Sequence, residues 1–157
     1  MRSASISEIK QELSNTPPKD LLELCLRVIK YKKENKEFIN YLLFEAHDLA
    51  GYIENIKKEM DEQFLQINYS NLYFVKKSLR KILKTTNKYI KYTTSKEAEV
   101  ELLIYFCEKI KLSGVRINKS IALANLYNNQ IKKIKSVVET LHEDLQRDHN
   151  KSIEHLL

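Results

Sequence analysis

Seven basic side chains and no acidic one lie within residues 76–92, KKSLRKILKTTNKYIKY. The formal net charge of the whole 157-residue chain is only +6, so this segment accounts for the entire excess. Cations that recur every three or four residues share one face of an α-helix, so the spacing predicts a cationic stripe. The candidate binding residues are the seven cations: Lys76, Lys77, Arg80, Lys81, Lys84, Lys88 and Lys91.

Such a stripe suits a phosphate backbone, an acidic protein or an anionic membrane surface. The chain has 22 lysines and five arginines, and lysine lacks the planar fork with which arginine grips phosphate or guanine. This composition disfavours sequence-specific reading of nucleic acid and leaves non-specific phosphate contacts. The alternative is that the stripe is a solvated helix face whose many lysines reflect A/T-rich coding. Its charges would then be neutralised by residues 45–62, which hold six acids and two lysines.

A second basic region follows, with no acid between positions 109 and 138. If packing joined it to the stripe, binding of nucleic acid would become a stronger hypothesis. Its cations are Lys109, Lys111, Arg116, Lys119, Lys132, Lys133 and Lys135.

Enzymatic chemistry has weak support in the sequence. Glu139 and His142 form one Glu-x-x-His pair, which is half of what a di-iron carboxylate site needs. Glu45, His47 and Asp48 cluster at a predicted helix end, where such residues have ordinary capping uses. No phosphate-loop, zinc-protease or nucleophile-elbow motif occurs. We therefore expect no catalytic residue, no metal site and no cofactor.

The remaining polar and reactive side chains have structural interpretations. The nine tyrosines are expected to line helix interfaces rather than stack on bases. Cys25 and Cys107 lie in apolar helical segments and are predicted to be buried thiols. The N-terminus lacks the apolar core of a signal peptide, and no apolar run is long enough for a membrane span, so the expected location is the cytoplasm.

These residues must be positioned by helices, because two glycines and two prolines are too few for the turns of a β-rich fold. Apolar periodicity and capping residues predict seven helices. A capping box of Ser5 and Glu8 starts the first helix. The predicted caps of the third, fifth and sixth helices are Asn35, Ser70 and Ser95. The predicted helices cover about 6–14, 18–33, 35–47, 50–67, 71–92, 95–112 and, as one long near-heptad helix, 118–149.

The helices form a short arm over residues 1–16 and three antiparallel pairs, over about 18–47, 50–92 and 96–149, within a single domain over residues 1–157. Two all-α architectures satisfy this order. Stacked helical hairpins, forming an α-α superhelix like that of helical-repeat proteins, are preferred, and a closed helical bundle is the alternative. The apolar seam of the last helix also allows a homodimer.

The stretches PPKDLLELCLRVIKYKKENKEFINYLLFEAHD and NLYFVKKSLRKILKTTNKYIKY resemble those of uncharacterised bacterial all-helical proteins with no assigned activity. The resemblance covers roughly residues 17–112. It implies an all-α fold and a bacterial cytosolic origin, and it carries over no site residue.

The sequence thus predicts a non-enzymatic helical scaffold or adaptor with a macromolecular, most simply protein, partner. The first alternative is a nucleic-acid-binding accessory protein that uses the basic helix 76–92. The second is a metal-binding helical-bundle enzyme that uses Glu139 and His142.

Overall fold

The computed structural model describes residues 3–157, and every regular element in that range is helical, so the all-α fold class is confirmed. A π-helical segment, Tyr41–Glu45, follows the third α-helix, and a 3₁₀ turn, Ile117–Lys119, precedes the seventh. The α-helices are α1 (Ile6–Asn15), α2 (Pro18–Tyr31), α3 (Lys33–Asn40), α4 (Leu49–Leu65), α5 (Leu72–Thr93), α6 (Lys96–Leu112), α7 (Ile121–Val138) and α8 (Glu143–Leu156). Across residues 3–157, no helix combines the length and the apolar character that crossing a membrane requires.

The chain divides into two compact units, a first that ends at Phe44 and a second, Glu45–Leu157. The predicted arm helix, α1, belongs to the first unit, and it starts as predicted: the Ser5 N–H donates to Glu8 Oε2 (2.6 Å) and the Glu8 N–H donates to Ser5 Oγ (3.3 Å). Pro18 opens α2 at a position where its missing N–H costs no hydrogen bond.

The broad buried face predicted for α2 is wrong. No residue of α1, α2 or α3 is buried, and the α2 side chains of Leu22, Leu24 and Val28 are exposed. The prediction of a buried Cys25 thiol is likewise wrong, because Cys25 is exposed. Three helices of 10, 14 and 8 residues have too little surface to enclose a core.

The start and the inward face of the third helix also differ from the prediction. The helix begins at Lys33, and Asn35 lies inside it, where its amide donates to the Val28 carbonyl oxygen (2.8 Å) and so satisfies the end of α2. Leu42 and Leu43, predicted to face inward, are exposed. The π-helical turn widens the helix there and rotates the following side chains out of the expected phase.

The second unit is built around α6, which contacts α4, α5, α7 and α8. Nine of its 17 residues are buried, spread over about two thirds of its circumference, as expected for a helix with neighbours on several sides. Ser95 caps it as predicted, accepting from the Ala98 N–H, and Gly114, with φ of 71°, follows its end. Contacts between α4 and α5, and between α6 and α7, are consistent with either stacked hairpins or a bundle.

The predicted apolar stripe is buried in full, although α4 ends at Leu65 and so does not reach its last member: Ile53, Ile56, Met60, Phe64 and Ile67. Helix α5 begins one residue later than predicted. Asn71, not Ser70, is its cap and accepts from the Tyr73 N–H (2.8 Å), because the Ser70 hydroxyl donates instead to Asn68 Oδ1 (2.6 Å).

The single long helix predicted over about 118–149 is wrong. A turn at residues 139–142 separates α7 from α8, and His142 becomes the cap of α8. The Gln146 amide donates to the carbonyl oxygens of Glu139 and Leu141, which satisfies the broken end. This turn allows Ile153 and Leu156 of α8 to be buried in the same unit. Because the turn preserves the phase of the apolar pattern, the periodicity of the sequence shows no break there.

Candidate basic surface and the pocket beside it

Helix α5 separates its apolar and basic side chains cleanly. Its buried residues are Val75, Leu79, Ile82, Thr86 and Ile90. At about 100° per residue, six of the seven candidate cations fall on the opposite arc of the helix, and Lys76 lies at the border with the buried face. We call this set, Lys76, Lys77, Arg80, Lys81, Lys84, Lys88 and Lys91, the basic face of α5.

Five members of the basic face are solvent-exposed and the other two are half-buried. Lys76 Nζ lies 5.7 Å from the centre of the exposed Tyr73 ring, and Lys88 Nζ lies 4.8 Å from the centre of the Tyr89 ring. The exposed five make no ion pair with any residue in the range 3–157: Lys77, Arg80, Lys81, Lys84 and Lys91.

The acids of α4 do not neutralise these five cations. Asp61 Oδ1 accepts from Tyr105 Oη (2.8 Å) and lies 2.9 Å from Lys109 Nζ, both on α6. Glu54 pairs with Lys57 of its own helix (2.8 Å), and Glu59 accepts from Tyr89 Oη (3.1 Å). The internal-pairing explanation offered for the basic segment is therefore wrong for the five exposed cations.

Three cations of the second basic region make contacts within the chain. Lys109 pairs with Asp61, Lys111 Nζ donates to the His155 carbonyl oxygen (2.7 Å), and Lys133 Nζ lies 2.9 Å from Glu99 Oε1. The other four cations of the region are exposed and have no ion pair in the described part of the chain: Arg116, Lys119, Lys132 and Lys135.

The two basic regions meet at one point. Lys133 Nζ of α7 donates to Asn87 Oδ1 of α5 (3.2 Å), and Lys133 and Lys91 line the same pocket of about 430 Å³. We call it the α5–α6 pocket, because the turn between those helices closes one side. Its lining residues are Asn87, Ile90, Lys91, Thr94, Ser95, Lys96, Glu99 and Lys133.

The carboxylate of Glu99 holds two of the pocket lysines in place. It lies 2.9 Å from Lys133 Nζ and 3.3 Å from Lys96 Nζ. Burial by itself raises the pKa of the Glu99 carboxyl, but the hydrogen bonds and charges of the two lysines outweigh burial, so this pKa lies below its usual value. Glu99 is therefore charged at neutral pH and cancels one of the three lysine charges.

Thr94 gives the pocket its strained turn. Its φ of 53° and ψ of 7° are left-handed, a conformation that is costly for a β-branched residue and that glycine or asparagine usually occupies. The pocket was not predicted, because a threonine at position 94 does not signal a left-handed turn. Lys91 and Lys133 were each in a basic region, but their meeting depends on the packing of α7.

The tyrosines divide between interfaces and surface. Tyr52 and Tyr127 are buried, and the Tyr105 hydroxyl bonds to Asp61, so these three serve helix interfaces as expected. Burial and the Asp61 charge raise the pKa of Tyr105 to about 12. Tyr73, 59% exposed beside Lys76, is the tyrosine next to the basic face whose ring is most open to solvent.

Three residues of the enzymatic alternatives lie at helix ends. Glu139 ends α7 and His142 begins α8, where His142 Nδ1 accepts from the Asp144 N–H (3.4 Å). Asp48 caps α4 by accepting from the Gly51 N–H (2.9 Å). Among residues 3–157, no three His, Cys, Asp or Glu side chains form a group that could hold a metal ion.

Burial also decides the chemistry of the second cysteine. Cys107 is buried as predicted, and burial raises the pKa of its thiol to about 12. A thiol with such a pKa is almost wholly protonated at neutral pH and is a poor nucleophile.

Comparison with family models, curated proteins and solved structures gives no match to this chain. The resemblance to uncharacterised bacterial helical proteins therefore stays a prediction.

Proposed function

We propose that this chain is a non-enzymatic helical scaffold that binds a macromolecular partner through the basic face of α5, and that the partner is nucleic acid, held by its phosphates. One observation carries the proposal. Five exposed cations lie along one side of a single helix and make no ion pair within residues 3–157, while three of the four acids of α4 contact other side chains.

The electrostatics favour an anionic partner for this face. Like charges three or four residues apart on a helix repel by a few tenths of a kcal/mol per pair, and a bound polyanion relieves that repulsion. The rise of about 1.5 Å per residue spreads Lys77 and Lys91 roughly 20 Å apart, enough to follow several phosphates of one strand. Lysine predominates, so we expect little sequence preference.

An acidic protein is the competing partner, and the exposed Tyr73 ring favours nucleic acid over it. Aromatic rings beside lysines stack on unpaired bases in single-strand-binding proteins, whereas an acidic peptide needs only the charges. The cytoplasmic location and bacterial origin predicted from the sequence belong to the same proposal. The homodimer stays a prediction; the apolar residues expected to form its seam are partly covered inside the chain, where Ile131, Ile134 and Val138 are buried.

Fluorescence anisotropy with labelled single- and double-stranded oligonucleotides tests the proposal. Between about 50 and about 200 mM salt, release of counterions from about four phosphate contacts predicts a loss of affinity of about 100-fold. The variant Lys77→Glu, Lys81→Glu, Lys84→Glu should abolish binding. A matched control, Lys10→Glu, Lys19→Glu, Lys30→Glu, changes the net charge by the same amount at exposed positions of the first unit. This control should keep most of the binding.

Circular dichroism must show that both variants are folded. The proposal fails if the wild-type protein shows no binding at low salt, or if the two variants lose affinity equally. Binding of a polyglutamate peptide with the same dependence on Lys77, Lys81 and Lys84, but no binding of oligonucleotides, would make an acidic protein the partner.

A further inference from the structure

We infer that the α5–α6 pocket binds a phosphate monoester dianion. This inference goes beyond binding of a phosphate backbone, because it assigns a pocket at the end of the basic face to a single doubly charged group. The site would bind inorganic phosphate, the phosphate of a small phosphorylated molecule or the terminal phosphate of a nucleic acid strand.

The charge of the pocket suits a dianion. Three lysines and one glutamate line it, so its formal charge is +2. A phosphate monoester carries close to two negative charges at neutral pH, whereas a diester of a nucleic acid backbone carries one. The complementary charges therefore favour the monoester.

The lining is also rich in hydrogen-bond donors. Besides the ammonium groups, it contains the Asn87 amide and the hydroxyls of Thr94 and Ser95. The Asn87 oxygen already accepts from Lys133, which leaves the NH₂ group of the same amide to donate. The Glu99 carboxylate, the charged acceptor of the lining, is paired with Lys96 and Lys133.

One lysine of the pocket is held in position, and the other two can adjust to a ligand. The Glu99 ion pair and the Asn87 hydrogen bond hold Lys133, while the side chain of Lys96 is 62% exposed. Lys91 is exposed and makes no ion pair within residues 3–157. A phosphate can therefore recruit Lys91 directly and draw Lys96 away from its longer 3.3 Å pair with Glu99, without breaking the Lys133–Glu99 pair.

Isothermal titration calorimetry with inorganic phosphate at about pH 8, against chloride at matched ionic strength, tests the site directly. We expect a dissociation constant on the order of 1 mM for wild type. Lys91→Met should weaken binding at least about fivefold, because it removes one charge-assisted hydrogen bond. The matched control Lys58→Met changes an exposed lysine of α4 that lies outside both the pocket and the basic face, and it should bind phosphate like wild type.

Lys133→Met removes a second pocket lysine, and Lys135→Met is its control on the same helix. Because Lys133 also stabilises Glu99, the stability of Lys133→Met must be measured in parallel. If Lys133→Met is unfolded, the comparison of Lys91→Met with its own control decides the test. The inference is overturned if phosphate does not bind, or if Lys91→Met and Lys58→Met bind it equally.

A second pair of titrations identifies the source of the phosphate. If the site takes a strand end, a 5′-phosphorylated oligonucleotide should bind several-fold more tightly than its 5′-hydroxyl counterpart, and Lys91→Met should erase the difference. If ribose 5-phosphate binds and the two oligonucleotides do not differ, the site takes a small phosphorylated molecule. The oligonucleotide titrations rest on the proposed function, but the inorganic phosphate titration does not, so the two can fail separately.

Discussion

The Nζ atom of Lys133 lies 2.9 Å from Oε1 of Glu99, and this ion pair joins α7 to a carboxylate that is buried on α6. The pair has two consequences: it positions a cation in the α5–α6 pocket, and it makes the second unit sensitive to acid.

Acid should destabilise the protein partly through Glu99. Its pKa is lower in the folded than in the unfolded chain, so its stabilising contribution is present above the unfolded value near 4.5 and is lost as the pH falls through the folded value. Urea unfolding from neutral pH down to about pH 3 should show this loss. Glu99→Gln should lower the free energy of unfolding at pH 7 by about 1–2 kcal/mol, less than for a fully buried pair, since the Lys133 side chain is 41% exposed.

The same variant should lose less stability than wild type on acidification. Equal losses in the two proteins would show that Glu99 carries no part of the pH dependence. Asp61→Asn is a useful comparison, because the Asp61 pKa is also lowered: burial raises it, but Lys109 and Tyr105 outweigh burial.

Thr94→Gly should stabilise the protein by about 1 kcal/mol, because glycine adopts the left-handed conformation without the steric cost of a β-branched side chain. The neighbouring change Ser95→Ala should have the opposite sign and cost about 1 kcal/mol, since it removes the cap of α6. Thermal unfolding measures both. A lower melting temperature for Thr94→Gly would contradict the turn geometry.

Tyr127→Phe should destabilise the protein by about 1 kcal/mol by removing the hydrogen bond from its hydroxyl to the Leu156 carbonyl oxygen (2.8 Å). Because this bond ties α7 to the end of α8, amide hydrogen exchange should become faster in α8 and stay unchanged in α4. Tyr31→Phe, at a ring that is 78% exposed, is the matched control and should be neutral.

Phe106→Ala should cost about 3–5 kcal/mol, because this ring of α6 has no exposed surface and packs edge-on against Phe64 at 5.9 Å between centroids. Leu22→Ala on α2 should cost less than about 0.5 kcal/mol, since that side chain is 60% exposed. Chemical denaturation compares the two. Similar costs would contradict the placement of the core around α6.

Local signals predicted most of the helix ends. The Ser5–Glu8 capping box, Pro18 and the Ser95 cap all act within one helical turn, so the residues that form them are near in sequence. The apolar stripe of α4 was predictable for the same reason.

The failures arise where tertiary contacts outweigh local pattern. The apolar residues of α2 have a helical period, but the short helices of the first unit do not cover them. The turn between α7 and α8 preserves the apolar phase, so periodicity cannot reveal it. The basic face was visible in the sequence as a set of residues, whereas the lack of ion pairs among its five exposed cations within residues 3–157 depends on Asp61 pairing with α6 rather than with α5.

The central place of α6 in the second unit has a consequence for how fast that unit forms. The hydrogen bonds from Lys57 to Glu101, from Tyr105 to Asp61 and from Lys111 to His155 each span 44 residues, two of them toward the N-terminus of the chain from α6 and one toward the C-terminus. A helix that is central in space and also midway along the sequence needs only loops of moderate length to collect its neighbours. Most other close contacts in the chain are local, within or between neighbouring helices, and a predominance of local contacts is typical of helical domains that fold within microseconds to milliseconds.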